Sequence, residues 1–195
     1  MTSPVKLNFK VYQGSTFKEV LRWESSTKAY ALITSISKSA PAVIGAPSNG
    51  IPVGWRFKVT DVVGMKEINS TDTYHTATGT SADTITVNAL NTLSYTTYVS
   101  GGVVEYNMPV DLASMTARMQ IRATLDAATT ILDLTTENGG IAIDNMAKTI
   151  TINIDAVTTT DLSFSSAVYS LELIKSGEVT PFINGTISLV KEVTR

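Results

Sequence analysis

The strongest constraint on the fold of this 195-residue chain is a two-residue alternation of apolar and polar side chains. The alternation is clearest in Thr116–Arg122 and Thr149–Ile154, where every second residue is apolar. Residues 168–174 and 182–190 repeat the pattern. Successive side chains of an extended strand point to opposite faces, so such segments bury one face of a β-sheet.

Turn-forming residues separate the predicted strands. Gln13-Gly14-Ser15 divides residues 6–11 from Phe17–Glu24 and predicts a hairpin, and Ser176-Gly177-Glu178 predicts another near the C-terminus. Only Asp155–Asp161 has the character of a helix, and it is short. Many short strands with frequent turns are typical of a sandwich or a barrel, so we predict an all-β fold.

Residues 28–106 differ from their surroundings because prolines cluster there and both ends of the segment are polar. Insertions are tolerated at exposed hairpin tips, where few contacts are lost. We therefore predict a β-sandwich domain formed by residues 1–27 plus 107–195, with residues 28–106 inserted as a small β-barrel domain. The strands expected in the insertion are Ala31–Ser37, Trp55–Asp61, Thr84–Asn88 and Gly102–Tyr106.

Composition excludes several classes of function. The formal net charge is −2 and the charged residues form no basic stripe, so we expect no nucleic-acid partner. With no cysteine, the chain has no disulfide framework and no thiolate metal site. No apolar run reaches the ~18 residues of a membrane span, and the N-terminus lacks the pattern of a signal peptide. We expect a protein made in the cytosol, with no membrane partner.

The sequence offers few residues for chemistry. His75 is the only histidine, so a metal site would lack nitrogen and sulfur ligands apart from it. Gly14, Gly139 and Gly140 lie outside any phosphate-binding fingerprint and predict turns. The acidic candidates for acid–base work do not form an evident pair across a cleft; they are Asp126, Asp133, Glu137, Asp144 and Asp155. We predict a non-enzymatic protein without catalytic residues, cofactor or metal.

Four residues are candidates for a protein interface: Trp55, Tyr98, Arg118 and Arg122. Tryptophan and arginine are enriched in interface hot spots, but for Trp55 a core position is favoured over an interface. The arginines alternate on one strand face. The N-terminal arm Met1–Val5 is a further candidate for reaching a partner. A row of exposed tyrosines would instead indicate carbohydrate binding, and its candidates are Tyr95, Tyr98 and Tyr106.

Short motifs outside the insertion resemble, in their order, the N-terminal β-sandwich domain of phage baseplate upper proteins and related small tail proteins. The motifs are YQGSTF at 12–17, LRW at 21–23, PVDL at 109–112, TARMQIR at 116–122, LTTENGGI at 134–141 and YSLEL at 169–173. Motifs of the insertion resemble a small β-barrel repeat of phage tail proteins; they are ITSI at 33–36, GWRF at 54–57, GMKEIN at 64–69 and YVSGG at 98–102.

The resemblance implies a structural component of a tailed-phage virion. The printed chain ends at Arg195, soon after the last predicted strand, which favours a tail or baseplate attachment or adaptor subunit over a receptor-holding one. A head decoration, collar or head–tail connector protein is the alternative. Repeated virion subunits form closed symmetric arrays, so the expected partners are other virion proteins and further copies of the chain.

Overall fold

The computed structural model describes residues 3–192 and is built almost entirely of strands, which confirms the all-β prediction. The first eight strands are β1 (Val5–Lys6), β2 (Phe9–Tyr12), β3 (Phe17–Leu21), β4 (Glu24–Leu32), β5 (Ser35–Ile36), β6 (Ala42–Gly45), β7 (Arg56–Val63) and β8 (His75–Thr76). The remaining strands are β9 (Gly79–Thr80), β10 (Thr84–Val87), β11 (Ser100–Pro109), β12 (Thr116–Arg122), β13 (Leu132–Thr135), β14 (Ile141–Asp144), β15 (Thr149–Ile154), β16 (Ser166–Lys175) and β17 (Glu178–Val190). A 3₁₀ turn spans Lys66–Ile68, and α1 spans Ala156–Asp161.

The chain divides into two compact units, one ending at Arg22 and resuming at Asp111, the other spanning Trp23–Val110. The inserted unit is therefore wider than the predicted 28–106. The reason is strand pairing: β4 and β11 continue their ladder as far as the pair Glu24 and Pro109. The polar residues that resemble linkers in the sequence are the ends of two paired strands.

The first unit has a sandwich-like arrangement of two sheets. The larger sheet runs β1-β17-β16-β12-β13, with β2 also paired to β17, and the smaller sheet runs β14-β15-β3. The alternation predicted for β12 and β15 is present in both strands, whose apolar residues are buried. At the C-terminus of this unit, β16 and β17 form the predicted hairpin. Its two turn residues, Ser176 and Gly177, have φ of 51° and 84°, as a tight two-residue hairpin turn requires.

The predicted hairpin between the first strands is wrong. The strand β2 pairs in parallel with β17 in the larger sheet, whereas β3 pairs with β15 in the smaller one. The turn at Gly14 carries the chain from one sheet to the other, and the Gln13 side chain secures it by donating to the carbonyls of Thr160 and Leu162 at 3.0 and 2.9 Å. Alternation alone does not reveal which strand a neighbour in sequence will pair with.

The N-terminal segment is not a free arm from Val5 onward. Val5 and Lys6 pair in parallel with Ile183 and Asn184 of β17. Met1 and Thr2, the start of the predicted partner-reaching arm, lie outside the described residues.

The inserted unit contains two four-stranded sheets, β5-β6-β10-β9 and β4-β11-β7-β8. Side chains from both sheets share one core, in which Ile44, Phe57, Ile85 and Val104 are fully buried. All four strands predicted here overlap observed ones, but Ala31–Ser37 is divided into the end of β4 and β5. The pairing defines two separate sheets, so a closed barrel stays a prediction.

Candidate functional site

Arg118 lies on the outward face of β12, opposite Glu172 of β16. Its Nη2 is 2.7 Å from Glu172 Oε2, and its Nε donates to the same oxygen at 2.8 Å. Together with Gln120 and Ser170, the two residues line a shallow depression of about 330 Å³. These four side chains make the depression polar. Because the Glu172 carboxylate neutralises the Arg118 guanidinium, the depression does not present a free cation to a partner.

Arg122 is directed toward its own loop. Its Nη1 donates to the carbonyl of Ala127 at 2.5 Å, and its Nη2 donates to Gln120 Oε1 at 2.9 Å. The side chain thereby holds the connection that follows β12. The sequence predicts Arg118 and Arg122 as interface candidates on one strand face. In the structure, the guanidinium of each binds other residues of the first unit.

Trp55 and Tyr98 are structural residues of the inserted unit. Trp55 is fully buried in the core, so the interpretation as a core residue replaces the interface prediction. Tyr98 is half-buried against the same core, and its hydroxyl lies 3.0 Å from the carbonyls of both Ile33 and Gly101. Its polar end ties β11 to the segment after β4, and it is not a freely exposed anchor.

The tyrosines considered for carbohydrate binding do not form an exposed row. Tyr106 is only 7% exposed, and its hydroxyl donates to the carbonyl of Asn49 at 2.6 Å. Tyr95 packs, partly buried, against the same core as Tyr98. Stacking on a sugar requires exposed ring faces, and this arrangement does not supply them in a row.

His75 is half-buried beside Phe57, with the ring centroids 5.7 Å apart. Its Nε2 is buried and has no hydrogen-bond partner within the described part of the chain. Burial lowers the pKa of His75 below its ordinary value of 6.5, against the opposing effect of a hydrogen bond with the backbone of Ile68. These features favour a neutral imidazole with a packing role.

Two of the acidic candidates, Asp155 and Asp144, accept hydrogen bonds from nearby backbone N–H groups. Asp155 precedes α1, and its Oδ1 accepts from the Thr158 N–H at 2.6 Å, a bond that lowers the pKa of this carboxyl. Asp144 Oδ1 accepts from the N–H groups of Met146 and Ala147. Within residues 3–192, no group of three or more acidic or histidine side chains is placed to hold a metal ion.

Sequence analysis did not identify the outward face of the sheet β4-β11-β7-β8. The register places Tyr30, Glu105 and Lys58 side by side across three strands. Next to them, the ring of Tyr74 is flanked by the cations of Arg56 and Lys58, each 4.8 Å from its centroid. We call this surface the β4 face. It contains tyrosines and an arginine, residue types that are enriched in protein interfaces.

The charges of the β4 face are largely paired. Arg56 makes a two-pronged contact with Glu24, both bonds being 2.7 Å, and this contact raises the pKa of the guanidinium. Lys28 forms an ion pair with Glu105, whose hydrogen bond raises the pKa of the ammonium group. What remains available is aromatic and aliphatic: Tyr30 is 62% exposed and Leu32 is 72% exposed.

The strand β4 also has an open edge. Ile33 N donates to Gly102 O of β11. Because antiparallel backbone groups alternate in direction, Lys28, Tyr30 and Leu32 point their N–H and C=O groups away from β11. Within the described range no strand pairs with β4 on that side, although β4 is nine residues long. We call these outward groups the β4 edge. Long unprotected edges are sites for addition of a further strand.

Comparisons with known proteins do not supply a family. No model of a protein family matches the chain, and a search of curated proteins finds no match. Among the described residues no helix is long and apolar enough to cross a membrane.

Proposed function

We propose that this chain is a non-enzymatic structural subunit of a tailed-phage virion, and that it serves as an attachment or adaptor subunit of the tail or baseplate. The proposal is supported by the ordered motifs that resemble the sandwich domain of baseplate upper proteins. A location at the head, collar or connector is the alternative within the same class.

The observation that carries the adaptor role is the β4 edge. Three residues, Lys28, Tyr30 and Leu32, direct backbone donors and acceptors outward beside exposed side chains, and no strand within residues 3–192 pairs with them. An extended segment of a neighbouring virion protein would complete this edge with main-chain hydrogen bonds, while Tyr30 and Leu32 supply apolar contact. Strand addition needs no catalytic group, and it suits a subunit whose role is to hold other proteins in position.

Substitution of Tyr30 tests the mode of attachment. Tyr30→Pro removes an outward N–H without removing a bond to β11, because the Tyr30 backbone does not bond to that strand. Tyr30→Thr is the matched control, since it removes the ring but keeps the N–H. Each variant is supplied in trans to a phage lacking its own copy of the gene, and purified particles are analysed by mass spectrometry.

We expect wild-type protein and Tyr30→Thr in the particles, and we expect Tyr30→Pro to be depleted at least tenfold while remaining folded by circular dichroism. Incorporation of Tyr30→Pro at the wild-type level would reject strand addition at β4. Particles that lack even the wild-type chain would reject the virion assignment itself. A cryo-EM map of the particle separates tail from head locations.

A further inference from the structure

The outer edge of β13 is closed by a side chain. This strand is the last of the larger sheet, and it pairs on one side with β12. The Thr136 N–H donates to Ala117 O, so by alternation Asp133 and Thr135 direct their backbone groups away from β12. Both outward groups nearest the turn are engaged by the Asn138 amide: Nδ2 donates to Asp133 O at 3.0 Å, and Oδ1 accepts from Thr135 N at 2.9 Å.

This pair of bonds has the geometry of a strand neighbour. In a parallel ladder, a residue donates to the carbonyl before its partner and accepts from the N–H after it. The Asn138 amide does this around Leu134, so it occupies the place of one residue of a parallel strand.

The inserted unit contains a counterpart. Asn69 Nδ2 donates to Val62 O at 3.0 Å, and Asn69 Oδ1 accepts from Val62 N at 2.9 Å, which is the exchange of bonds made by an antiparallel pair. It lies where β8 no longer covers β7, since β8 pairs only with Arg56 and Phe57. Two sheet edges thus end against an asparagine amide, whereas the β4 edge has no such cover among the described residues.

We infer that Asn138 keeps the edge of β13 from pairing with a second copy of this chain. Unprotected edges are templates for pairing between identical chains, and here the amide uses the donor and acceptor that an incoming strand would need. The inference deepens the proposed function because it removes the β13 edge as an alternative to β4 for strand addition, but it concerns the purified protein alone.

A simpler role for Asn138 is to hold the turn, because Oδ1 also accepts from Gly140 N at 2.9 Å. Two substitutions separate the roles. Asn138→Ala removes all three bonds and opens the edge. Asn138→Asp keeps an acceptor for Thr135 and Gly140 and places a negative charge at the edge, which opposes an incoming strand. Asn153→Ala is the matched control, since Asn153 is an exposed asparagine within β15, a central strand of the smaller sheet.

Sedimentation velocity across a hundredfold range of protein concentration is the measurement. We expect Asn138→Ala to self-associate with a dissociation constant at least tenfold below that of wild type, and we expect Asn138→Asp and Asn153→Ala to behave as wild type. Adding Asp133→Pro to Asn138→Ala removes an outward N–H of β13 and should restore the wild-type dissociation constant. Adding Tyr30→Pro should have no effect, which separates this inference from the proposed role of β4.

A folded Asn138→Ala that associates no more than wild type overturns the inference, as does association that Asp133→Pro leaves unchanged. If Asn138→Ala fails to fold, Asn138→Ser is used in its place to test the inference. Its hydroxyl is too short to bridge Asp133 O and Thr135 N, yet it can still accept from the turn. The same two outcomes then apply to Asn138→Ser.

Discussion

The indole Nε1 of Trp55 donates a hydrogen bond of 2.7 Å to the backbone carbonyl of Asn107. Trp55 immediately precedes β7, and Asn107 lies near the end of β11, the last strand of the inserted unit. The bond lets a large ring fill the core while its single polar atom is satisfied. It also joins two segments 52 residues apart in sequence.

Trp55→Phe is expected to keep most of the packing and to lose this bond. A carbonyl left without its donor costs about 1–3 kcal/mol of unfolding free energy, and Trp55→Ala, which also leaves a cavity, should cost about 3–5 kcal/mol. Urea unfolding followed by far-ultraviolet circular dichroism measures both. Equal stability of Trp55→Phe and wild type would show that the bond contributes nothing net.

Gly185→Ala is expected to displace the N-terminal segment. A Cβ at this position would lie 1.9 Å from the carbonyl oxygen of Leu7, and a backbone atom cannot move aside as a side-chain end can. We expect the free energy of unfolding to fall by about 1–3 kcal/mol, the usual cost of overpacking. We also expect faster amide exchange at Lys6 and Leu7. Gly79→Ala is the control, because its Cβ would meet Thr86 Cβ at an ordinary 3.6 Å. Similar losses for the two variants would contradict the explanation.

Stability should decrease in mild acid because of His75. Burial lowers its pKa in the folded protein below 6.5, so the unfolded chain binds a proton more readily than the folded one. The stabilising effect of neutral His75 is complete above pH 6.5 and is lost as the pH falls toward the folded-state pKa. Urea unfolding between pH 8 and 5 should show a decline that is smaller in His75→Gln. An NMR titration that gives a folded-state pKa above 6.5 would refute this prediction.

The ion pair of Arg118 and Glu172 should contribute little to stability. The Arg118 side chain is 52% exposed, so water screens its attraction to Glu172. Holding the long arginine side chain in one position also costs conformational entropy. A double-mutant cycle with Arg118→Ala and Glu172→Ala should give a coupling free energy below about 1 kcal/mol. A larger coupling would indicate that this depression is more rigid and drier than its exposure implies.

The β4 face could have been found in the sequence. Lys28, Tyr30 and Leu32 alternate with Ala29 and Ala31, which is the same period-two signal that identified β12. The outward direction is hard to predict from this pattern, because the buried residues are small alanines. Tyr30 and Leu32, which are exposed, are of the size and type expected in a core. Their true direction depends on which face of β4 meets the core of the inserted unit.

Local sequence patterns were sufficient for the all-β class, for the extents of β12 and β15, and for the β16–β17 hairpin. These features depend on residues close together in the chain: side chains that alternate across a strand, and a Ser-Gly pair that tolerates positive φ. Only the tertiary structure decided that β2 and β3 enter different sheets, that Trp55 is buried, and that Asn138 reaches the edge of β13. Strand partners are chosen by packing between distant segments, and no local pattern specifies that choice.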